Sequence, residues 1–261
     1  MKEFRSKEIY GDFYKNECGN KPLVVLIGGS RAGLPAPLSE EFMEYLKENY
    51  NVLLLAYFGV GQLNHDLEEI PIEYFINAIT AVKNECRISD DKVIIIGQSK
   101  GGEAALVLTN YMQSAITIAC VASCYVFQGL PQDRFSLLQR EPKSAWSYNG
   151  RELPYIKFYM DNMNIENVKN NNFCRCHEDS IEKNFDKEAI ISTDSYKGKI
   201  LLISAENDKY WPSKKMSENL VEHSKNKNSI SHVCLNIDGH YFLSYKESVD
   251  EMIKYLQTNK L

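Results

Sequence analysis

The strongest constraint on the fold is an alternation of short apolar runs with segments of helical periodicity. Such runs, bounded by glycine or polar residues, are typical of strands buried on both faces of a parallel sheet. Strands that alternate with helices form right-handed βαβ crossovers, so the sequence predicts a mostly parallel sheet with helices on both faces. The predicted strands are Glu8–Tyr14, Leu23–Ile27, Val52–Tyr57, Val93–Ile96, Ile116–Val121, Ile200–Ser204 and His232–Ile237. The predicted helices are Leu38–Lys47, Ile72–Val82, Glu103–Met112, Ser213–Ser224 and Ser244–Gln257.

The composition is that of a soluble globular protein. Hydrophobic residues make up 44% and charged residues 25% of the 261 positions, which is ordinary for such proteins. The formal net charge of −5 argues against a general nucleic-acid-binding protein, which is usually basic. The apolar runs are far shorter than the roughly 18 residues of a membrane-spanning helix. We therefore expect neither a nucleic acid nor a membrane span.

The cysteines and the first residues predict a reducing, cytoplasmic location. The seven cysteines are an odd number in a chain that is not small, which is not typical of a disulfide framework. The opening segment MKEFRSKEIYGDFYKNE lacks the apolar core of a secretory signal.

The segment Gly97-Gln98-Ser99-Lys100-Gly101 matches the pattern G-x-S-x-G between a predicted strand and a predicted helix. On such a strand–turn–helix the central serine is strained and exposes its hydroxyl at the top of the sheet. We therefore predict that Ser99 is a nucleophile. The N–H of Lys100, at the helix N-terminus, is then a candidate donor to a developing oxyanion. The alternative is a glycine-rich turn with an N-capping serine.

A serine nucleophile needs a base and an acid, which follow it in the order serine, acid, histidine on folds of this type. Only His240 follows a predicted strand with a glycine before it, so we predict that it is the base. The acid should follow the preceding strand, where the sequence offers Asp208 and Glu206. Asp238 is a third and weaker candidate. Residue spacing favours Asp208 but leaves the choice open.

A second oxyanion donor should lie in the loop after the strand Leu23–Ile27. This loop contains Gly29, Ser30 and Arg31, and we favour the N–H of Ser30 or Arg31. The side chains of Arg31 and Lys100 flank the predicted site, where they either meet a phosphorylated substrate or are simply solvated.

The alternation of strands and helices breaks after Tyr125. Prolines and the asparagine-rich stretch Asn162–Asn172 predict an irregular cap with little helix at 127–195, inserted into a single domain spanning 1–261. The cap aromatics either line an acyl pocket or pack the cap onto the sheet. Cys174-x-Cys176-His177 lacks the second half of a structural metal site, so we expect no metal and no cofactor.

The chain resembles the catalytic domain shared by acyl-CoA thioesterases and bile acid-CoA:amino acid N-acyltransferase, an α/β-hydrolase family. The likeness covers most of residues 23–257. The segments that carry it include Gly28-Gly29-Ser30, Leu55-Ala56-Tyr57, Ile70-Pro71-Ile72-Glu73-Tyr74-Phe75, Ile96–Glu103, Val126-Phe127-Gln128-Gly129, Ser144-Ala145-Trp146, Leu153-Pro154-Tyr155, Asp208–Ser213 and Gly239-His240.

The resemblance implies an α/β-hydrolase fold with Ser99 as nucleophile, Asp208 as acid and His240 as base. It thus favours Asp208 over Glu206. The sequence departs from the family in two places near the substrate: Ala32 stands where members often have glycine, and the asparagine-rich part of the cap has no clear counterpart.

These observations predict a serine hydrolase that cleaves a small-molecule acyl thioester, such as an acyl-CoA, or a carboxylic ester through an acyl-enzyme on Ser99. At the position of Ser99, on the strand–turn–helix called the nucleophile elbow, family members that transfer acyl groups to amino acids use cysteine. Members that hydrolyse acyl-CoA commonly use serine there, so the resemblance favours water as the acceptor of the acyl group. The alternatives are an acyl-CoA:amine N-acyltransferase and a non-catalytic binding protein of the same fold.

Overall fold

A computed structural model describes residues 1–16, 21–161, 165–170 and 172–261. Cys18 and parts of the asparagine-rich stretch of the predicted cap therefore lie outside the described residues. The strands are β1 (Lys2–Arg5), β2 (Tyr10–Tyr14), β3 (Leu23–Ile27), β4 (Asn51–Leu55), β5 (Ile70–Pro71), β6 (Val93–Gln98), β7 (Ile116–Cys120), β8 (Trp146–Tyr148), β9 (Arg151–Glu152), β10 (Lys199–Ala205) and β11 (Ile230–Leu235). The helices are α1 (Glu40–Asn49), α2 (Ile72–Cys86), α3 (Lys100–Leu108), α4 (Ile165–Lys169), α5 (Cys174–Lys183), α6 (Ser213–His223) and α7 (Lys246–Thr258).

The main sheet places its described strands in the order β1-β2-β4-β3-β6-β7-β10-β11. Neighbouring strands from β4 to β11 pair in parallel, whereas β2 joins β1 and β4 in antiparallel fashion. The prediction of a mostly parallel sheet is confirmed. The strand predicted at Glu8–Tyr14 is shorter and belongs to an edge hairpin, whose first strand, β1, the apolar pattern did not predict because it is largely exposed.

The sheet is covered on both faces, as a parallel sheet requires. Alternate residues of β3 point to opposite sides, so that Val25 and Ile27 join one apolar cluster while Val24 and Leu26 join the other. The first cluster includes residues of α2, α3 and α6, and the second includes residues of α1 and α7. The helices therefore lie on both faces, as predicted.

The long connection between β7 and β10 contains more regular structure than the sequence indicated. Its strands β8 and β9 form a small sheet with β5, in which Ile70 is the register partner of Trp146. The expectation of little helix is wrong for α5, where the sequence is strongly polar. The assignment of 127–195 as a cap inserted into one domain stays a prediction.

Helix α5 begins without a side-chain cap, and a distant carbonyl takes that place. The N–H groups of Phe173 and Cys174 both donate to the carbonyl oxygen of Lys209, at 2.7 and 2.8 Å. A helix start needs partners for its free N–H groups, and here the partner is remote in sequence. For this reason the local sequence gave no signal of where α5 begins.

The turn between β6 and α3 is packed so closely that side chains are excluded. A Cβ on Gly101 would lie 2.1 Å from the carbonyl oxygen of Gly28, which is in the loop that follows β3. A Cβ on Gly97 would lie 2.1 Å from the carbonyl oxygen of Gly101. Both obstacles are backbone atoms and cannot rotate away. The glycines of G-x-S-x-G thus let helix α3 approach the sheet.

We expect Gly101→Ala to destabilise the protein by about 3 kcal/mol or more, because the new methyl group overlaps fixed backbone. Gly150→Ala is the matched control: no atom lies within 4 Å of its added Cβ, so the cost is only the positive φ of +69°, about 1–2 kcal/mol. Urea unfolding of both variants measures the difference. Equal losses in the two variants would contradict the packing argument.

Candidate active site

Ser99 occupies the tight turn between β6 and α3. Its backbone has φ 57° and ψ −122°, a conformation that non-glycine residues rarely adopt. Its N–H donates to the carbonyl oxygen of Cys120 at the end of β7, 2.9 Å away, and its own carbonyl accepts from the N–H of Glu103 in α3. These contacts hold a strained serine at the carboxyl edge of the sheet.

The side chains of Ser99, His240 and Asp208 form a continuous hydrogen-bonded chain. The Nε2 atom of His240 lies 2.7 Å from the Oγ atom of Ser99, and its Nδ1 atom lies 2.9 and 3.0 Å from the two carboxylate oxygens of Asp208. The carboxylate can only accept, so Nδ1 carries the proton and Nε2 is free to accept the serine proton. All three residues are buried, with exposures of 5–8%.

The loop that carries Asp208 is fixed by its own next residues. The Asp208 carboxylate accepts the N–H of Tyr210, and the Tyr210 ring stacks on the His240 ring with centroids 4.5 Å apart. The indole N–H of Trp211 donates to the carbonyl oxygen of Val121, at 2.6 Å. The loop is thereby anchored to the chain just beyond β7, beside Ser99.

The two alternative acids lie elsewhere. Glu206 is exposed and pairs with Lys214 at 2.7 Å, and Asp238 is exposed. The structure therefore brings together Ser99, Asp208 and His240, and leaves both alternatives outside this chain of hydrogen bonds.

The loop after β3 lies directly over Ser99, since a Cβ on Gly29 would sit 3.2 Å from the Ser99 Cβ. The Tyr57 hydroxyl donates to the carbonyl oxygen of Gly29 at 2.7 Å, and Arg134 donates to that of Ser30 at 3.1 Å. In a trans peptide the N–H points opposite to the C=O. The N–H groups of Ser30 and Arg31 are thus oriented away from these two donors.

Tyr57 is a site residue that sequence reasoning missed. Its ring is buried among Phe58, Phe75 and Trp146, with centroids 5.1–5.8 Å away, and burial raises the pKa of its hydroxyl well above the usual range. The sequence offered two signals, its position at the end of a predicted strand and its place in the family-like segment Leu55-Ala56-Tyr57, but neither indicated a role in the site.

The Lys100 side chain is buried in the protein, so both sequence-based expectations for it, contact with a phosphorylated substrate and exposure to solvent, are wrong. Its Nζ atom is buried, 3.0 Å from the Glu103 carboxylate and 3.2 Å from the carbonyl oxygen of Phe127. Neither a phosphorylated substrate nor solvent meets it. Arg31, in contrast, is exposed.

His177, on α5, is set among aromatic rings. Its ring stands edge-on to those of Phe127, Phe158 and Trp211, with centroids 5.2, 5.4 and 5.5 Å away. Burial lowers the pKa of this imidazole to about 4. In the described part of the chain, no group of three His, Cys, Asp or Glu side chains is placed to hold a metal ion.

The α/β hydrolases are defined by a strained serine on a strand–turn–helix at the carboxyl edge of a parallel sheet, in contact with a histidine and an aspartate. Solved structures support this class. The α/β hydrolase GrgF from Penicillium sp. sh18 superposes with a TM-score of 0.64 at 15% identity, over 98% of this chain and 97% of its own. An esterase from Pyrococcus furiosus superposes with a TM-score of 0.61 at 13% identity, over 96% and 86%. At these identities the likeness establishes the fold alone.

Within this class, the chain belongs to the family described as BAAT / Acyl-CoA thioester hydrolase C terminal, which it matches over residues 70–244. The family resemblance stated from the sequence is therefore confirmed.

Two curated relatives illustrate the family. The chain is 26% identical to mouse acyl-coenzyme A amino acid N-acyltransferase 1 over 63% of its length, and 20% identical to rat acyl-coenzyme A thioesterase 2, mitochondrial, over 88%. The matches cover 35% and 47% of those proteins, so the chain corresponds to less than half of either. In the described residues no helix has the length and apolar content to cross a bilayer.

We expect Lys100→Met to destabilise the protein by about 3–5 kcal/mol, because it leaves the buried Glu103 without its cation. The double variant Lys100→Met/Glu103→Gln should lose less, since it leaves no lone charge. Lys214→Met, which removes an exposed pair with Glu206, is the control and should change stability by less than about 1 kcal/mol. Chemical denaturation measures all three. A double variant as unstable as Lys100→Met would contradict the argument.

His177 should make the protein sensitive to acid. The pKa of His177 is ~6.5 in the unfolded chain and about 4 in the folded protein. Between these two pH values the unfolded chain binds a proton at this residue and the folded protein does not. Stability should therefore fall as the pH drops through this window. The nearby charges are Lys100 and His240, which lower the pKa of His177, and Asp208, which raises it.

Measuring the free energy of unfolding between pH 7 and 4 tests this. The pH dependence should be weaker in His177→Phe than in the wild type, and unchanged in His223→Phe, which replaces an exposed histidine. An identical pH dependence in all three proteins would refute the expectation.

Proposed function

We propose that this protein is a serine hydrolase that cleaves an acyl thioester or a carboxylic ester through an acyl-enzyme on Ser99. The observation that carries the proposal is the 2.7 Å contact between Ser99 Oγ and His240 Nε2, with Asp208 behind the histidine. This arrangement supplies a nucleophile, a base in the required tautomer and a buried carboxylate to stabilise the imidazolium.

In the first half of the reaction, Ser99 Oγ attacks the carbonyl carbon while His240 Nε2 takes the hydroxyl proton. The negative charge moves to the carbonyl oxygen, where the N–H of Lys100 and an N–H of the Ser30–Arg31 segment stabilise it. The tetrahedral intermediate then collapses: the bond to the leaving thiol or alcohol breaks, and His240 returns the proton to that group. An acyl ester on Ser99 remains.

In the second half, His240 takes a proton from a water molecule, whose oxygen attacks the acyl ester. This attack forms a second tetrahedral intermediate. When it collapses, the bond between the acyl carbon and Ser99 Oγ breaks, His240 returns the proton to the serine oxygen, and the carboxylic acid leaves. No cofactor enters this sequence of steps. Tyr57 supports both halves by fixing the peptide that follows Gly29.

An acyl thioester is the proposed substrate because curated relatives are named acyl-coenzyme A thioesterases. Transfer of the acyl group to an amine is a second candidate, supported by the relative named as an amino acid N-acyltransferase. Serine at the elbow favours water. The cytoplasmic location stays a prediction, since relatives from mouse and rat are named as mitochondrial.

Ser99→Ala should lower kcat/KM on a panel of acyl-CoAs and p-nitrophenyl esters by at least about a thousandfold, because the nucleophile is lost. A fluorophosphonate probe should label the wild type at Ser99 and fail to label this variant. Ser195→Ala, which changes an exposed serine, is the control for both measurements.

The same assays distinguish the alternatives. Labelling that persists in Ser99→Ala would refute the assignment of the nucleophile. Wild-type protein that turns over no substrate and takes up no probe would favour a non-catalytic binding protein. Assays repeated with glycine or taurine, followed by mass spectrometry, should yield free acid; an N-acyl product would instead establish the transferase.

A further inference from the structure

His177 and the proposed base, His240, both lie against one aromatic ring, that of Trp211. Trp211 contacts both histidines, with its ring centroid 5.5 Å from that of His177 and 5.9 Å from that of His240. On its other sides His177 meets Phe127 and Phe158. The imidazole thus belongs to an aromatic enclosure that adjoins the reacting groups, and the reaction steps above do not use it.

The neighbours of His177 determine where its proton lies. Its Nδ1 atom is 3.0 Å from the carbonyl oxygen of Phe173, which can only accept a hydrogen bond. Nδ1 therefore carries the hydrogen, and Nε2 presents a lone pair. Because burial lowers its pKa to about 4, the ring is neutral at physiological pH and Nε2 stays an acceptor.

No described residue donates a hydrogen bond to Nε2, and His177 as a whole residue is only partly buried. Nε2 is not among the buried side-chain atoms of the described residues that lack a partner, so it is an accessible acceptor, which water satisfies until the donor of a ligand replaces it. The aromatic rings around it offer no donor in that role, since the Trp211 N–H is already bound to Val121. The accessible surface leaves room for a donor from a bound molecule.

The charge state of His177 selects the chemistry of that donor. A neutral acceptor is matched by an uncharged N–H or O–H, whereas a carboxylate or phosphate would place two acceptors face to face. Amide N–H and hydroxyl groups are the uncharged donors that thioester substrates carry. An amide lies in the thiol part of pantetheine-type thioesters, and a hydroxyl lies in the acyl part of hydroxyacyl thioesters.

We infer that His177 Nε2 accepts a hydrogen bond from an amide N–H or a hydroxyl group of the thioester bound at Ser99, and so determines which thioesters are turned over well. This inference rests on the proposed function. It adds a recognition residue to the three that carry the chemistry.

Three thioesters of matched size test it. S-butyryl-N-acetylcysteamine carries an amide N–H in its thiol part. The S-butyryl thioester of 5-mercaptopentan-2-one replaces that N–H by a CH2 group, so it has no donor and no second ester bond. The 3-hydroxybutyryl thioester of 5-mercaptopentan-2-one carries its donor in the acyl part. Comparing the first and third with the second identifies which part of the substrate meets His177.

His177→Phe should lower kcat/KM on the donor-bearing substrate by about 10- to 100-fold more than on the substrate without a donor, because only the former loses a buried hydrogen bond. His177→Gln, which keeps a neutral acceptor, should retain most of the preference. Phe158→Leu is the matched control: it alters the enclosure but leaves Nε2 in place, so it should affect all three substrates by the same factor.

The outcomes separate this inference from the proposed function. Turnover of the substrate without a donor, lost in Ser99→Ala, tests the serine hydrolase independently of His177. If His177→Phe lowers turnover of all three thioesters equally, His177 only packs the fold and the inference is wrong. If His177→Phe does not fold, the test uses the wild type and His177→Gln, which should both prefer a donor-bearing thioester over the one without a donor. A wild type that shows no preference for either donor-bearing thioester overturns the inference.

Discussion

The buried ion pair between Lys100 and Glu103 is the interaction on which the surroundings of the site depend. One carboxylate oxygen of Glu103 accepts from the Lys100 ammonium, from the N–H of Phe127 and from the indole N–H of Trp146. A charge removed from water requires such partners, because an unpaired one is far too costly. The network therefore holds helix α3, the chain beyond β7 and strand β8 together around one carboxylate.

This requirement explains the arrangement above the serine. Phe127 is held at both ends of its backbone, by Glu103 at its N–H and by Lys100 at its carbonyl oxygen. Its ring then forms one wall of the enclosure around His177 and contacts Trp211. The aromatic residues of the predicted cap differ in burial: Trp146 and Phe127 are fully buried, while Phe158 keeps part of its surface accessible.

Much of the fold could be predicted from the sequence, because the central strands β3, β4 and β6 are largely apolar runs buried on both faces, and helices such as α1 and α2 bury one apolar face. Ser99 and His240 could be proposed for a related reason, since they follow strands whose ends meet at one edge. The same position offered both Asp208 and Glu206, and only the family resemblance settled the choice of Asp208. Tyr57, the Glu103 network and the start of α5 were not found. Each depends at least in part on partners far away in the chain, such as Phe127 and Trp146 for Glu103, and the residue types are ordinary where they occur.

The start of α5 has a consequence for how the site behaves as a whole. The carbonyl that receives its first N–H groups belongs to Lys209, the residue next to Asp208. This oxygen therefore joins the start of α5 directly to the loop that carries the carboxylate. A substitution that displaces either segment removes two hydrogen bonds from the other, so the position of α5 and the position of Asp208 are structurally coupled.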